Sequence, residues 1–166
     1  MAVTRCTMTE RTIRSNRGVR PVTGGTAVPT ALDSLTVTPP RRGLTEITVA
    51  VNDTLGRSAG LPADGLLHVW LRHTSASLIV QENADPDVLA DLEDWLDRLV
   101  PDGDPAYRHR AEGPDDMPAH IKGAITATEV LLPVRDRRLA LGTWQGLFLW
   151  EHRSRPRARE LLLTWC

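Results

Sequence analysis

Short runs of alternating or continuous apolar residues follow residue 43, and most of them predict β-strands. Residues 45–51 (TEITVAV) place three apolar side chains on one face, which predicts a half-buried strand followed by a turn or short helix. Residues 66–73 (LLHVWLRH) and 75–82 (SASLIVQE) predict two more strands. Four further runs near the C-terminal end also predict strands: TEVLLPV, RLALGT, GLFLWEH and RELLLTW.

The clearest helical pattern covers residues 84–101 (ADPDVLADLEDWLDRLVP). Asp85 is a good N-cap, Pro86 suits the first helical position, and Pro101 ends the pattern. The spacing of the apolar residues predicts a buried stripe. That stripe consists of Val88, Leu92, Trp95, Leu96 and Leu99.

A second helix is predicted to start near Met117, with Asp115 or Asp116 as its cap, and to run to about Ala127. The strands cluster at the end of the chain, while helices separate the earlier strands. This order favours a single α+β domain with a mostly antiparallel sheet and two main helices, rather than a doubly wound parallel sheet.

The first 43 residues differ in composition from the rest of the chain. They are rich in Thr, Arg, Pro and Gly, and their few apolar residues show no sustained period. Such a segment buries too little apolar area to offset the entropy of ordering it. We therefore expect residues 1–43 to be a disordered extension and residues 44–166 to form the domain.

Composition and charge exclude several classes of function. A formal net charge of −1, with 25% charged residues, predicts neither nucleic-acid nor membrane binding. No apolar run approaches the roughly 18 residues of a membrane-spanning helix, and the N-terminus has no apolar core of a secretory signal. The two cysteines, Cys6 and Cys166, lie far apart and outside any ligand-type spacing, so we expect a cytoplasmic protein.

Histidines and acidic residues supply the candidate chemistry. His73 ends an apolar strand, where a single histidine is more often structural than functional. His109 and His120 flank a polar segment that contains Asp115 and Asp116. That segment is either a solvated loop leading into a capped helix or the wall of a site, and two adjacent acids exceed what one cap requires.

The segment WQGLFLWEHR is the third candidate. By strand alternation Gln145 and Glu151 share a face, and His152 lies on the other. Glu151 and His152 therefore point into one pocket only if the strand ends or bulges there. No strong metal or nucleophile motif is present, although three neutral histidines with carboxylates can assemble a divalent-metal site from distant positions.

In combination these segments closely resemble the YjbQ family, also called UPF0047. The resemblance rests on HTSASLIVQENADPDVLADLE, YRHRAEGPDDMPAHIKGAI and LALGTWQGLFLWEHR, and it covers about residues 44–166. It implies a compact α+β domain that assembles as a homotrimer, with the polar motifs in a cleft near the subunit interfaces. It also implies activity like that of a secondary thiamine-phosphate synthase, which joins hydroxymethylpyrimidine diphosphate to thiazole phosphate and releases pyrophosphate.

We expect particular roles for the residues that match the family's polar motifs. The expected catalytic residues are His73, His109, His120, Asp115, Asp116 and Glu151. The expected substrate-binding residues are Asn83, Lys122, Gln145, His152 and Arg153. The expected metal ligands are His73, His109 and His120, with Mg²⁺ or Zn²⁺ as the ion.

Two other functions stay open at this point. The transfer reaction needs Mg²⁺ on carboxylates and cations on the diphosphate, whereas several histidines suit a borderline metal with bound water. The first alternative is therefore a metal-dependent hydrolase of a small phosphorylated metabolite. The second is a non-catalytic, trimeric metabolite-binding protein.

Overall fold

The computed structural model describes residues 32–58 and 60–166. Eight strands and three helices follow one another along these described residues. In chain order they are β1 (Leu32–Val37), β2 (Gly43–Glu46), α1 (Thr48–Arg57), β3 (Gly65–Leu71), β4 (Ala76–Glu82), α2 (Pro86–Leu99), α3 (Asp116–Ile125), β5 (Glu129–Arg135), β6 (Arg138–Leu139), β7 (Gln145–Glu151) and β8 (Arg159–Trp165).

The strands form two antiparallel sheets. The larger sheet has the order β1-β8-β3-β5-β6, and the smaller has the order β2-β7-β4. In the smaller sheet Ala76 pairs with Glu151 at one end of the β4–β7 ladder, and Glu82 pairs with Gln145 at the other. This register decides which polar residues meet at each end.

The main hydrophobic core joins the two sheets. Strands β3, β5 and β8 supply inward-facing side chains such as Val69 and Leu161, and β7 supplies Leu147 and Leu149. The opposite face of β7 carries Phe148 and Trp150, which pack with residues of α2 in a second, smaller core. The alternation predicted for β7 is therefore confirmed, and it places α2 on the far side of the smaller sheet from the larger one.

The α2 helix begins as predicted but buries less than predicted. Asp85 accepts a hydrogen bond from the backbone of Asp87 at 2.9 Å, and Pro86 is in the first turn. Leu96 is buried, whereas Trp95 and Leu99 are 52% and 54% exposed. The predicted stripe is too wide because the small sheet meets only the Leu96 side of the helix.

Residues 45–51 do not form the predicted strand. Pairing with β7 ends at Glu46, and α1 begins at Thr48. Ile47, Val51 and Leu55 are buried one helical turn apart, while Val49 is 70% exposed. The helical spacing of Ile47, Val51 and Leu55 was present in the sequence. The β-branched residues of TEITVAV nevertheless favoured a strand.

The folded domain begins before residue 44. Strand β1 pairs with β8 along its whole length, from Leu32 opposite Thr164 to Val37 opposite Arg159. Residues 32–43 therefore belong to the domain, and the predicted boundary moves accordingly. This edge strand is only six residues long (LDSLTV) and lies within a segment rich in Thr, Arg, Pro and Gly, which is why composition alone missed it. The rest of the predicted extension, residues 1–31, lies outside the described residues.

The predicted α+β class with antiparallel sheets is confirmed. The second predicted helix is α3, which ends two residues earlier than expected. Of the predicted RLALGT strand, residues 138–139 pair with β5. Within the described part of the chain, no helix has the length and apolar character needed to cross a membrane.

Candidate metal centre

Two histidines and a buried aspartate converge at the start of α3. His109 Nε2 lies 2.5 Å from Asp116 Oδ2, and His120 Nε2 lies 3.6 Å from the same oxygen. One ligand atom from each residue falls within 4.8 Å of the others. The Asp116 side chain is 3% exposed, whereas those of His109 and His120 are 45% and 37% exposed. The carboxylate is thus buried and the imidazoles are open to solvent.

The α3 helix and the loop before it position these groups. Asp116 and His120 are one helical turn apart, so both side chains lie on the same face of α3. His109 comes from the loop between α2 and α3. Gly103 donates its backbone N–H to the carbonyl of Pro114 at 3.0 Å, which closes that loop. The Arg110 guanidinium donates a hydrogen bond to the carbonyl of Tyr107 at 2.6 Å, which stabilises the folded loop.

Arg153 orients the aspartates from the other side. Its Nη1 pairs with Asp116 Oδ1, which leaves Oδ2 facing the histidines. Its Nε donates to Asp115 Oδ2 at 3.1 Å, and its Nη2 donates to the carbonyl of Glu112 at 2.8 Å. The guanidinium therefore fixes the carboxylate that the two imidazoles share.

Asp115 has a different role from the predicted helix cap. Its Oδ2 accepts hydrogen bonds from the backbone N–H and the hydroxyl of Ser154, at 2.8 and 3.0 Å. No hydrogen bond from the described helix reaches its side chain. Burial raises the pKa of Asp115, but the Ser154 hydrogen bonds and the charge of Arg153 outweigh burial and lower it overall. Ser154 was missed in the sequence, where its only signal was its place beside EHR.

The cluster has donors that a transition-metal ion accepts, and one of its separations matches such a site. Ligand atoms bound to one tetrahedral ion at ~2.0–2.1 Å lie about 3.4 Å apart, close to the His120–Asp116 separation of 3.6 Å. The His109–Asp116 hydrogen bond would have to open by about 1 Å. Two imidazoles with one carboxylate are ligands that Zn²⁺ and similar ions accept.

His73 is not brought into this cluster. Its Nε2 accepts a hydrogen bond from the backbone N–H of Glu160 at 2.8 Å, so Nδ1 carries the proton of the neutral ring. Burial lowers the pKa of His73, and the charge of Arg159 lowers it further. The ring lines a separate cavity of about 530 Å³ beside Trp70 and Thr74. The expected His73, His109 and His120 trio therefore does not meet within one chain.

Glu151 and His152 lie inside the protein on opposite faces, as strand alternation predicts. Glu151 is fully buried and accepts two hydrogen bonds from Arg159, at 2.5 and 2.8 Å. His152 is hydrogen-bonded to the Ser77 hydroxyl at 2.9 Å. Both residues also border a cavity of about 170 Å³ between β2 and α2, but they are only 0% and 1% exposed and their side chains are bound to protein groups.

The expected substrate-binding residues are also dispersed. Lys122 is 1% exposed, and its Nζ donates to Asp97 Oδ1 at 2.5 Å. Asn83 and Gln145 lie at the far end of the β4–β7 ladder from Arg153. Six residue steps along β7 correspond to about 20 Å. Of the five expected substrate-binding residues, Arg153 is the one that contacts the cluster.

Comparisons with known proteins give the family. The sequence model of the family described as UPF0047 protein YjbQ-like matches residues 33–166. The chain belongs to the YjbQ-like UPF0047 family. The YjbQ protein of Salmonella typhimurium is 47% identical over 133 residues, which cover 79% of this chain and 94% of that relative. A UPF0047 protein of Synechocystis is 60% identical over 99 residues, which cover 60% of this chain and 67% of the relative.

Solved structures of this YjbQ-like type share the fold. A conserved hypothetical protein from Thermus thermophilus superposes with a TM-score of 0.71 at 36% identity, covering 81% of this chain and 99% of that one. A YbjQ-like protein of unknown function from Sulfolobus solfataricus has a TM-score of 0.69 at 22% identity, covering 82% and 96%. At 22% identity, the similarity to the Sulfolobus protein concerns the fold alone.

The predicted thiamine-phosphate synthase activity is contradicted by these comparisons. The relatives are named only as UPF0047 proteins, and the Sulfolobus protein is described as having unknown function. The same names give no better support to a hydrolase of phosphorylated metabolites or to a trimeric metabolite-binding protein. The buried Lys122 also removes one of the two cations that the diphosphate was expected to meet.

Proposed function

We propose that this YjbQ-like protein is a metal-dependent enzyme whose centre is a divalent transition-metal ion held by His109, Asp116 and His120. The observation that supports the proposal is the convergence of two imidazoles and a buried carboxylate within 4.8 Å. Nitrogen donors favour Zn²⁺ or a similar borderline ion, whereas Mg²⁺ prefers oxygen donors. Of the two metals expected from the sequence, the donor set therefore favours Zn²⁺.

The chemistry proposed for this centre is the activation of water. Three protein ligands leave a coordination position open, which distinguishes catalytic from structural zinc sites. A metal ion there would act as a Lewis acid and make a coordinated water molecule more acidic. Arg153 keeps Asp116 in place, and the exposed imidazole edges leave room for a small molecule to approach.

We also propose that the protein is located in the cytoplasm. Its two cysteines, at positions 6 and 166, show no pairing pattern of an oxidising compartment. Fractionation of cells that express the full chain tests this placement, and recovery from the cell envelope or the medium would contradict it.

Metal analysis of the purified protein tests the centre directly. We expect about one equivalent of Zn²⁺ or Co²⁺ per chain after reconstitution. Asp116→Asn and His109→Ala should weaken binding by at least about 100-fold, because each removes one of three ligands. His68→Ala is the matched control, since His68 also pairs with a carboxylate, Glu129, but lies on the larger sheet. Equal affinity in all four proteins would contradict the proposal.

An exchange experiment then separates a catalytic centre from a closed structural one. Azide added to the Co²⁺-loaded protein should change its visible absorption spectrum, because an open position takes up a new ligand. The protein with His68→Ala should respond in the same way. A spectrum that azide leaves unchanged would mean that the coordination sphere is closed and that the centre does not activate water.

A further inference from the structure

Four arginines alternate from the loop after β7 to the first residue of β8, in the sequence RSRPRAR. The first and last are bound to carboxylates. Arg153 pairs with the two aspartates at the start of α3. Arg159 is 4% exposed and pairs with the buried Glu151. The two arginines between them, Arg155 and Arg157, are exposed.

These anchors hold the loop at both ends. Ser154 adds two hydrogen bonds to Asp115, from its backbone N–H and its hydroxyl. Pro156 stands between the exposed arginines, and its ring restricts the backbone. Arg155 and Arg157 form no ion pair with any residue that the structure describes. The loop thus presents two uncompensated cations on a backbone that is already ordered.

The exposed arginines line a cavity of about 420 Å³ beside the metal cluster. Its charged walls are Glu112, Asp115, Arg153, Arg155 and Arg157. Among the residues that line the cavity, Asp115 balances the charge of Arg153, which leaves Arg155 and Arg157 against the carboxylate of Glu112; Asp116, which also pairs with Arg153, is outside the lining. The cavity keeps an excess of one positive charge, which favours an anionic ligand.

We propose that this cavity binds a doubly charged oxyanion, a phosphate or a dicarboxylate, through Arg155 and Arg157. Guanidinium groups bind such oxyanions with paired, charge-assisted hydrogen bonds. A loop that is already anchored loses little further entropy on binding. Arg153 joins the cavity to the cluster because it lines the cavity and pairs with Asp116. The cavity therefore receives the anionic part of the substrate. This role in catalysis rests on the proposed metal centre, but the binding of an anion to the cavity is independent of the metal.

Calorimetric titration with inorganic phosphate and with malonate, on metal-free protein at low ionic strength, tests the proposal. Binding of either anion supports it, and a preference between them identifies the class. The double variant Arg155→Gln/Arg157→Gln should lose about tenfold or more in affinity for the preferred anion. Failure of the unmodified protein to bind both anions would overturn the proposal.

The matched control is Arg135→Gln/Arg138→Gln. These two exposed arginines are also neighbours, since they pair across β5 and β6, but they lie on the larger sheet. We expect the control variant to keep its affinity for the anion within about twofold. An equal loss of affinity in both double variants would mean non-specific electrostatic attraction and would overturn the proposal. Zn²⁺ binding by Arg155→Gln/Arg157→Gln should be unchanged. Loss of Zn²⁺ binding in His109→Ala with retained anion binding would show the two sites to be separable, so either proposal can fail alone.

Discussion

His152 is a neutral histidine held inside the protein. It is 1% exposed, and its ring lies against Trp150 with a centroid separation of 5.7 Å. Burial lowers the pKa of His152 to about 3, and the charges of Lys122 and Arg42 act in the same direction. An unfolded histidine binds a proton near pH 6.5, so between about pH 6.5 and 3 the unfolded chain binds more protons than the folded one.

The stability of the protein should therefore depend on this residue at mildly acidic pH. The contribution of His152 to the free energy of unfolding is fully present above about pH 6.5. It is lost as the pH falls, at up to about 1.4 kcal/mol per pH unit. His152→Gln keeps a hydrogen-bonding group for Ser77 but removes the titration. Urea unfolding between about pH 7 and 4.5 should give a shallower pH dependence for the variant by about 1 kcal/mol per unit. The same pH dependence of the free energy of unfolding in both proteins would contradict this role of His152.

At the scale of elements, α3 combines the proposed metal ligands Asp116 and His120 with close packing. Gly123 lies against the backbone of Thr74, and a Cβ atom there would come within 2.8 Å of its carbonyl oxygen. Pro118, Ala119 and Gly123 are buried on this side of the helix. Asp116 and His120 are therefore held by a helix that cannot shift away from β4 without losing these contacts.

A pair of glycine substitutions measures this packing. Gly123→Ala should lower the free energy of unfolding by about 1–3 kcal/mol, because the backbone of Thr74 must move. Gly56→Ala in α1 is the control, since a Cβ atom there meets nothing within 4 Å. Alanine favours a helix over glycine, so this substitution should be neutral or stabilising by up to about 1 kcal/mol. Equal effects in chemical denaturation would mean that α3 is not closely packed.

The elements also differ in how far the sequence predicted them. The α2 helix was predicted almost completely because Asp85, Pro86 and Pro101 mark its ends. The start of α1 was predicted as a strand because the apolar residues of TEITVAV alternate, and the rest of the helix falls where a turn or short helix was predicted. Tertiary packing decided that case, since the main core accepts Ile47 and Val51 from one side of a helix.

At the scale of the whole molecule, a single copy leaves large apolar side chains uncovered. Leu66, Trp70 and Leu131 are 41%, 42% and 57% exposed on neighbouring strands β3 and β5 of the larger sheet. Patches of this kind are typical of protein–protein contacts. They agree with the homotrimer that the family resemblance led us to expect, which stays a prediction.

Light scattering coupled to size-exclusion chromatography tests this assembly. We expect three times the mass of the chain for the unmodified protein. Trp70→Glu should lower the mass to that of one chain, because a charge on the sheet face would have to be buried in the contact. Trp144→Glu changes another exposed tryptophan, in the loop before β7, and should leave the mass unchanged. A monomeric unmodified protein would contradict the prediction, and dissociation by Trp144→Glu alone would place the contact elsewhere.

The sequence by itself determined the family, the α+β class and most strands and helices, because these depend on periodicity and on local capping and turn residues. It also placed every member of the proposed metal centre among its candidates: His109, Asp116 and His120. Only the tertiary structure decided which candidates meet. The β4–β7 register separates Gln145 from Arg153, and packing against both faces of β7 buries Glu151 and His152. The loop between β7 and β8, bound at both ends, leaves Arg155 and Arg157 exposed. Such long-range distances follow from how the sheets pair and pack, and residue spacing along the chain does not encode them.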